Sequence, residues 1–397
     1  MEYILKGLDM IFTGIIMYIL YPFLPKNIWI ISERADQAQD NGIAFFEYLN
    51  REHKEVNSFY LLEKNCKEMG GAKKIGNVLI RGTLKHKIYF LKSKVAASTE
   101  KNIIEPWGSR VFYRTFAKLF PKKLKVFLQH GITDKDVSAV YGKAVSDIDL
   151  FVTTTKSESK FIKEKFGYKK SEIANVGFCR YDKLMNGNNK IEDENIILYM
   201  PTWRRYLFDL ADKDLDYVDK ARKQFLKSDY YNTIQDLIND KKLNKLLEEN
   251  DFKFIFVTHH GINALSDLFK TNSENIKICK SEEIKIAQLL AKVRLFITDY
   301  SSIHFDSAYI GNKNIYYQFD REVFFKEHAG KSYFNYENCG FGPVVYKKND
   351  LINEISRYIN NIKEDKYIKR ANDFFEFKDE NNCFRLYELI KSKLDKS

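Results

Sequence analysis

The chain has 397 residues, of which 44% are hydrophobic and 15% aromatic, so it can bury the cores of two globular domains. This composition excludes a disordered or collagen-like polymer. The formal net charge of +11 favours anionic partners such as phosphorylated substrates or acidic lipid headgroups. Because the lysines are scattered and no zinc-finger or RNA-recognition pattern occurs, we expect no nucleic-acid partner.

Residues 10–24 form an uninterrupted, mostly apolar run near the start of the chain. The run is shorter than the roughly 20 residues that a bilayer span requires, and no cleavage pattern of a signal peptide follows it. It therefore predicts an interfacial or re-entrant helix, with Tyr21 and Trp29 near the lipid headgroups. The alternative is a buried helix that packs on its own domain.

From residue 27 onwards, short apolar runs alternate with helical or polar segments. The first run is NIWIIS, and the helix predicted over residues 35–49 carries Phe45, Phe46 and Leu49 on one face. Later runs occupy residues 58–62, 94–98, 125–128 and 150–153. This alternation predicts a parallel sheet with crossover helices.

A polar stretch at residues 186–194, NGNNKIEDE, indicates a linker near the midpoint of the chain. The alternation then starts again, with apolar runs at residues 196–200, 252–258, 276–279, 295–298 and 314–317. The sequence therefore predicts an α/β protein of two Rossmann-like domains that face a cleft, which is a glycosyltransferase-B-like architecture.

We accordingly predict four segments: an N-terminal membrane-associated helix at residues 1–26, one domain at 27–185, a second at 195–349, and C-terminal helices at 350–397 that can pack back on the first domain. A strongly charged helical region at residues 209–250 has two interpretations, a solvated insertion or a part of the acceptor site. The sequence leaves the oligomeric state unknown.

Five cysteines are spread through the chain, and no two of them form a CxxC pair. They are Cys66, Cys179, Cys279, Cys339 and Cys383. An odd number of widely spaced cysteines favours reduced core residues over disulfides or zinc ligands. We therefore expect no metal site, and a cytosolic location for the folded part, because secreted proteins tend to pair their cysteines.

The first chemical motif, Gln129-His130-Gly131-Ile132-Thr133, follows the predicted strand at residues 125–128. In an open α/β sheet, ligands bind outside the carboxyl ends of the strands. A histidine in that position can accept the proton of an attacking hydroxyl, and Gly131 permits close approach of a substrate. A single loop histidine is more often structural, but the strand-end position of His130 favours a catalytic role.

The second motif, Pro201-Thr202-Trp203-Arg204-Arg205, also follows a predicted strand. An arginine suits a diphosphate because its planar, permanently charged guanidinium offers paired donors. The motif is weak by itself, since surface arginines are common. Trp203 has two interpretations, stacking on a ligand or packing in the fold.

The third motif is Thr258-His259-His260-Gly261, at the end of another predicted strand. Adjacent side chains of an extended segment point in opposite directions, so at most one of the two histidines faces the ligand side. The other packs or meets solvent. The spacing does not favour a two-histidine metal site on a helix.

The fourth and most specific motif is ITDYSSIHFD at residues 297–306, where an apolar strand gives way to a hydroxyl-rich turn and then a helix. Ser301 and Ser302 can donate hydroxyl and backbone N–H bonds to an anion there. The structural alternative is that these side chains cap the helix, and capping is compatible with phosphate binding.

Several nucleotide and hydrolase patterns are missing from the sequence: GxxxxGK[ST], GxGxxG after a strand, and GxSxG. Support for ATP hydrolysis, dinucleotide redox chemistry and serine hydrolysis is correspondingly low. The pair Asp147 and Asp149 precedes a predicted strand, and we interpret it as the polar start of that strand rather than as a metal site.

In this order and spacing, the four motifs resemble the CDP-glycerol glycerophosphotransferase family, which includes teichoic acid primases and polymerases and related capsule enzymes. The resemblance spans residues 29–346. It includes the segment SERADQAQDNGIAFFEYL, the HG turn, PTWR, the strand-end histidine, ITDYSSIHFD and the later GFGPVV. ITDYSSIHFD is the most specific of these.

The resemblance implies that the second domain binds a CDP-glycerol or CDP-ribitol donor and that the first lies on the acceptor side. It implies a lipid-linked saccharide acceptor at the membrane surface, on its cytoplasmic face, and no further cofactor. The implied catalytic residues are His130 and His260, rather than His259. The other implied positions are Arg204, Thr298, Asp299, Ser301, Ser302 and Asp306 for the donor, and Gly131 and Thr133 on the acceptor side.

The chain departs from the family pattern around the first motif. Many members have a tryptophan before the HG histidine and a proline soon after it, whereas this chain has Gln129 and Ile132-Thr133-Asp134. The acceptor can therefore differ. The length of the chain suits a primase or a single-transfer enzyme better than a polymerase with long extensions.

As a mechanism, we expect His130 to remove the proton from an acceptor hydroxyl, which attacks the β-phosphorus of the donor and expels CMP. Arg204, His260 and the Ser301-Ser302 turn then stabilise the charge of the diphosphate. Two alternatives remain: a sugar transferase that uses a nucleotide sugar, and a non-catalytic membrane scaffold, against which the strand-end motifs argue. The polyol, the acceptor, the number of transfers and the choice between teichoic acid and capsule stay open.

Overall fold

The protein is described by a computed structural model that covers residues 2–108, 116–188, 194–204, 207, 215–327, 332–360 and 365–396. The chain divides into two units. The first unit comprises Met1–Ile132, Val137–Lys183 and Glu376–Ser397, and the second comprises Thr133–Asp136 and Leu184–Phe375. Of the predicted linker, residues 189–193 lie outside the described part.

The described strands, in chain order, are β1 (Ile28–Ser32), β2 (Asn57–Leu62), β3 (Asn77–Ile80), β4 (Val95–Ser98), β5 (Leu124–Phe127), β6 (Leu150–Thr153), β7 (Ile173–Asn175), β8 (Glu194–Met200), β9 (Lys253–Thr258), β10 (Ile276–Lys280), β11 (Val293–Thr298), β12 (Lys313–Tyr317) and β13 (Val344–Val345). The first seven form one sheet, in the order β3-β2-β1-β4-β5-β6-β7. The other six form a second sheet, in the order β10-β9-β8-β11-β12-β13.

The described α-helices are α1 (Glu2–Leu20), α2 (Asn41–Glu52), α3 (Met69–Ile75), α4 (Leu84–Lys92), α5 (Ser138–Tyr141), α6 (Lys156–Phe166), α7 (Cys179–Asn188), α8 (Leu215–Leu226), α9 (Asp229–Ile238), α10 (Lys241–Glu249), α11 (Ile286–Leu290), α12 (Ile303–Tyr309), α13 (Arg321–Glu327), α14 (Tyr336–Cys339), α15 (Lys348–Ile359), α16 (Asp365–Phe374) and α17 (Asn382–Asp395). Side-chain caps fix several starts. Thr155 Oγ1 accepts the Glu158 N–H at 3.0 Å before α6, and Asp240 Oδ1 accepts the Lys242 N–H at 2.8 Å before α10.

Both sheets are parallel throughout their paired strands. Their central strands are nearly continuous apolar runs, and all five residues of β1 are buried. Such strands are typical of parallel sheets that are covered on both faces. The predicted α/β class, with one parallel sheet in each of two units, is therefore confirmed.

Helix α1 packs on the first unit along one narrow face. Met10, Thr13, Gly14 and Met17 are buried. The carboxylate of Asp9 lies 2.7 Å from the ammonium of Lys87 on α4 and accepts the Trp107 indole N–H at 2.5 Å. By length and composition alone, residues 2–23 are apolar enough to cross a membrane.

Two predictions near the start of the chain are wrong. Trp29, which we expected near lipid headgroups, lies in β1, is 2% exposed, and has its ring centroid 5.8 Å from that of Tyr387. The helix predicted from residue 35 begins at Asn41, because the buried carboxylate of Glu33 accepts backbone N–H groups from the preceding loop and from the start of α2.

Among the cysteines, which are all free, Cys339 is exposed rather than buried.

The C-terminal part of the chain divides between the two units. Helices α15 and α16 belong to the second unit, and residues from Glu376 onwards, including α17, belong to the first. Asp182 at the start of α7 accepts the backbone N–H groups of Asn382 and Cys383, both at 2.9 Å. The first backbone N–H groups of a helix have no acceptor within the helix. Asp182 supplies the acceptor for two such groups of α17 and thereby attaches this helix to the first unit.

Candidate functional site

The strand order of the second sheet determines which of its loops are neighbours. The order reverses between β8 and β11, so the loops that follow these two strands lie side by side at the carboxyl edge. PTWR follows β8 and DYSS follows β11. Strand β9, on the other side of β8, leads into His259 and His260. Three of the four sequence motifs therefore meet at one edge of this sheet.

Arg204 joins two of these loops from inside the fold. Its guanidinium is 0% exposed, and its Nη2 donates to Asp299 Oδ2 at 2.8 Å while its Nε donates to Asp320 Oδ2 at 2.6 Å. The other oxygen of Asp299 accepts the Thr202 backbone N–H at 2.8 Å. Arg204 thus couples the loop after β8 to the loop after β11, and it is enclosed rather than presented to a ligand.

Aromatic rings complete the enclosure of Arg204. The ring centroids of Phe324, Tyr230 and Tyr300 lie 4.9, 5.0 and 5.3 Å from its Cζ, which is within cation–π range. Asp320, the second carboxylate partner, was not among the predicted site residues. It comes three residues after the end of β12, and this position near a strand end is the signal that could have identified it.

The loop after β11 leads into α12 through Ser301 and Ser302, which are half-buried. Thr298 is buried, and its hydroxyl donates to the Met200 carbonyl at 2.6 Å, so it ties β11 to β8. In the described part of the chain, the Ser302 side chain forms no capping hydrogen bond with α12. The capping alternative therefore does not account for Ser302. Asp306, within α12, is buried.

The two adjacent histidines after β9 have different surroundings, but their side chains do not point in opposite directions as predicted. Their ring centroids lie 4.1 Å apart, because His260 begins a 3₁₀-helix (His260–Leu268) instead of continuing the extended strand. His259 Nδ1 accepts the Gly261 N–H at 3.1 Å, and its ring stacks on Trp203 with centroids 6.2 Å apart. His260 is exposed. A Cβ at Gly261 would lie 3.0 Å from the Trp203 ring, so glycine permits this close packing. Trp203 therefore packs in the fold, and His260 is the histidine at the surface.

In the first unit, the HG motif forms a turn that three buried side chains hold in place. Gln129 adopts a φ of +56°, a left-handed conformation that is uncommon for a residue other than glycine. Its amide Nε2 donates to Glu158 Oε1 at 3.0 Å, and its carbonyl accepts a 2.8 Å hydrogen bond from Asn41 Nδ2. Asn41 and Glu158 were not predicted. Asn41 is 88 residues from Gln129 in the sequence, Glu158 is 29 residues from it, and neither belongs to a recognisable motif.

His130 projects from this turn, with 57% of its side chain exposed. Its Nδ1 lies 4.0 Å from Glu100 Oε1, a carboxylate from the segment after β4. A histidine beside a carboxylate that can orient its ring is the usual arrangement of a general base, and such contacts are often long before substrate binds. Glu100, which belongs to no sequence motif, was not among the predicted site residues.

The chain changes unit within the first motif, between Ile132 and Thr133. Gly131 is half-buried beside His130 in the first unit, whereas Thr133 belongs to the second unit as part of Thr133–Asp136. Val137 returns to the first unit. The two residues predicted for the acceptor side are therefore placed in different units by the structure.

Within the described residues, no group of three or more His, Cys, Asp and Glu side chains has the geometry to hold a metal ion. Asp147 and Asp149 are both paired with Lys125. Asp149 Oδ2 accepts its backbone N–H at 2.9 Å, and Asp147 Oδ1 accepts from its ammonium at 2.6 Å. This pairing agrees with the interpretation of the two aspartates as the polar start of β6.

The chain is similar to proteins of teichoic acid synthesis. It is 33% identical over 374 residues to the minor teichoic acid biosynthesis protein GgaB of Bacillus subtilis, covering 93% of this chain and 40% of that protein. It is 24% identical over 383 residues to a teichoic acid poly(glycerol phosphate) polymerase of Bacillus spizizenii, covering 91% of each chain. The chain thus spans about two-fifths of the length of GgaB.

Among solved structures, the wall teichoic acid polymerase TagF matches with a TM-score of 0.66 at 15% identity, covering 94% of this chain and 90% of that one. At this identity the match shows a shared fold, which agrees with the predicted glycosyltransferase-B-like class. The family model for CDP-glycerol:poly(glycerophosphate) glycerophosphotransferases matches residues 15–392. The chain therefore belongs to the CDP-glycerol:poly(glycerophosphate) glycerophosphotransferase family.

Proposed function

We propose that this chain transfers glycerol phosphate or ribitol phosphate from a CDP-linked donor to a lipid-linked saccharide acceptor, in the synthesis of teichoic acid or a related cell-wall or capsule polymer. The observation that carries this proposal is the family match over residues 15–392. Two relatives are named for teichoic acid synthesis, and one of them is a poly(glycerol phosphate) polymerase. The loops after β8, β9 and β11 supply the polar groups expected at a donor site.

We assign donor binding to the second unit and proton removal to the first. The acceptor oxygen forms a bond with the β-phosphorus, and the bond from that phosphorus to the bridging oxygen breaks, so CMP leaves with the electron pair. His130 accepts the proton of the attacking hydroxyl. Ser301, Ser302 and His260 contact the diphosphate, and stabilisation of its charge lowers the barrier.

Other predicted donor residues act through the fold in this proposal. Arg204 and Asp299 hold the loop after β8 against the loop after β11, because their side chains are fully buried against each other. Thr298 does the same through its bond to Met200. These residues are therefore positioning residues for the serine turn. We assign the same role to Asp306, which lies within α12, on the strength of the family resemblance.

A donor panel tests the proposed reaction. The purified chain is incubated with CDP-glycerol, CDP-ribitol and UDP- or CMP-sugars, together with a synthetic prenyl-diphosphate disaccharide, and nucleotide release and product mass are measured. We expect CMP release, and a product heavier than the acceptor by one or more polyol phosphates, only when the donor is a CDP-polyol. Turnover with a nucleotide sugar would support a sugar transferase instead, and inactivity with every donor would support a scaffold.

We also propose that the protein binds the membrane surface peripherally, on the cytoplasmic face, through the exposed side of α1. The exposed apolar side chains of this helix include Leu8, Ile11, Phe12, Ile15 and Ile19. Burial of such side chains in the lipid interface is favourable by about 25 cal/mol per Å² of apolar surface. A helix that instead left the first unit to span a bilayer would have to remove Asp9 from Lys87 and Trp107, at the cost of an unpaired charge.

Basic residues near α1 also support contact of this helix with a membrane surface. Lys85 on α4 and Lys118 and Lys122, in the segment whose Leu119 carbonyl accepts from Tyr18, are all exposed. Each lysine near an anionic bilayer contributes roughly 1 kcal/mol. The helix and its surroundings thus combine apolar area with positive charge, which is the pattern of an interfacial helix.

The double substitution Phe12→Asp with Ile15→Asp should weaken vesicle binding by at least about tenfold, because it places two charges on the proposed contact surface. Binding is measured by co-sedimentation with phosphatidylglycerol-containing vesicles. The matched control is Phe384→Asp on α17, whose 50% exposure is close to the 61% and 56% of Phe12 and Ile15. Equal vesicle binding by the double variant and the control would refute the assignment.

A further inference from the structure

The donor site of the proposed reaction needs positive charge, and Arg204 is in a poor position to supply it. Transfer of a phosphoryl group is catalysed mainly by positioning and by groups that neutralise the developing charge. Arg204 is 0% exposed, and its guanidinium is already neutralised by Asp299 and Asp320. A diphosphate could contact it only after displacement of these carboxylates, which would leave buried charges unpaired.

Lys135 places an ammonium at the serine turn of the same unit. Its Nζ donates to the carbonyl of Tyr300 at 3.0 Å, and Tyr300 directly precedes Ser301. Lys135 belongs to the short segment Thr133–Asp136, which is part of the second unit. One-fifth of its side chain is exposed, so solvent or a ligand can approach it. The ammonium is therefore bound to the carbonyl that leads into the two serines proposed to contact the donor.

Asp134 holds Lys135 in this position. Its carboxylate lies 2.9 Å from the Lys135 ammonium and also accepts a 3.0 Å hydrogen bond from the Ser332 hydroxyl. The Asp134 carbonyl accepts the Tyr333 N–H at 3.1 Å, and an isolated β-bridge joins Lys135 to Ser332. Side chain and backbone thus both attach the segment to the second unit, so the ammonium is positioned before any ligand binds.

A ligand that binds the ammonium replaces one of its present acceptors. An ammonium has three N–H donors. Among the described residues, Lys135 Nζ donates to both oxygens of the Asp134 carboxylate and to the Tyr300 carbonyl. An oxygen of the diphosphate can take the place of one Asp134 oxygen while the other still holds the ammonium. The charge of Lys135 also acts on His304, which lies in α12. The pKa of His304 is well below its ordinary value, mainly because the ring is buried and also because the Lys135 charge disfavours its protonated form.

We propose that Lys135 is a donor-binding residue whose ammonium contacts the diphosphate at the Ser301-Ser302 turn, with Asp134 as its positioning residue. This inference rests on the proposed function. As the bond between the β-phosphorus and the bridging oxygen breaks, the N–H of Lys135 stabilises the electron pair left on the CMP oxygen, and no proton is transferred. The ligand class is an organic diphosphate carried on a nucleoside.

Lys135→Met tests the inference through equilibrium binding rather than turnover. We expect the Kd for CDP-glycerol and for CDP, measured by titration calorimetry, to rise about 10- to 100-fold, as loss of a charged hydrogen bond predicts. Cytidine, used as a competitor, should bind as it does to the unsubstituted chain. Lys135→Arg keeps the charge and should retain most of the affinity.

Lys326→Met is the matched control, because Lys326 lies in the same unit and 81% of its side chain is exposed. Unchanged binding of CDP by Lys135→Met would overturn the inference. So would an equal loss of cytidine binding, or an equal loss in Lys135→Arg, since either result would indicate a packing role. If the unsubstituted chain binds no CDP-glycerol, the proposed function itself fails, and the two failures are thereby distinguished.

Discussion

His130→Ala should lower the rate of CMP release from CDP-glycerol by about 10²- to 10⁴-fold, which is the range for removal of a general base. The Kd for CDP-glycerol should stay the same, because donor binding is assigned to the second unit and His130 belongs to the first. The free energy of unfolding should also change little, since 57% of the side chain is exposed. Single-turnover kinetics and donor titration measure the two effects separately.

The control for this experiment is His53→Ala, which removes another histidine of the first unit. His53 stacks on Tyr387 with ring centroids 3.4 Å apart, so its loss should reduce stability but leave the rate of CMP release unchanged. Near-normal turnover by His130→Ala would exclude its role as the base. A loss of donor affinity together with turnover would instead assign the residue to binding.

Arg204→Met should destabilise the second unit by about 3–5 kcal/mol, the cost of removing one partner from a buried ion pair. The substitution leaves the carboxylates of Asp299 and Asp320, which are 0% and 11% exposed, without their shared cation. Donor affinity should fall as well, because the loops after β8 and β11 lose the guanidinium that joins them. Only the hydrogen bond from the Thr202 backbone N–H to Asp299 then remains of this connection. Denaturant unfolding and titration with CDP-glycerol measure these effects.

Arg222→Met provides the comparison, since Arg222 pairs with Asp267 in the same unit but 31% of its side chain is exposed. A surface pair of this kind contributes about 0–1 kcal/mol, so this variant should unfold almost as the unsubstituted chain does. Similar losses in the two arginine variants would contradict the buried positioning role. Unchanged stability with reduced donor affinity in Arg204→Met would support the direct diphosphate contact predicted from sequence.

The residue type and strand-end position of Arg204 suggested a diphosphate ligand, but its carboxylate partners were not recognisable locally. Asp320 lies 116 residues away in sequence and Asp299 lies 95 residues away. The same limit applies to the HG turn, where Asn41 is 88 residues from the Gln129 carbonyl that it holds. Motifs in one sequence identify the loops at strand ends. They do not identify the residues that bury or orient a side chain, because those residues come from elements that are distant in the sequence.

The sequence by itself determined the α/β class, because apolar runs of strand length alternate with helical segments, and it determined the strand-end position of all four motifs. It also identified the family. The tertiary structure decided which charged groups are buried and which are accessible. It enclosed Arg204 between two aspartates and placed Lys135 at the Tyr300 carbonyl, because the strand order and the short segment Thr133–Asp136 bring together residues that lie 165 positions apart in the chain.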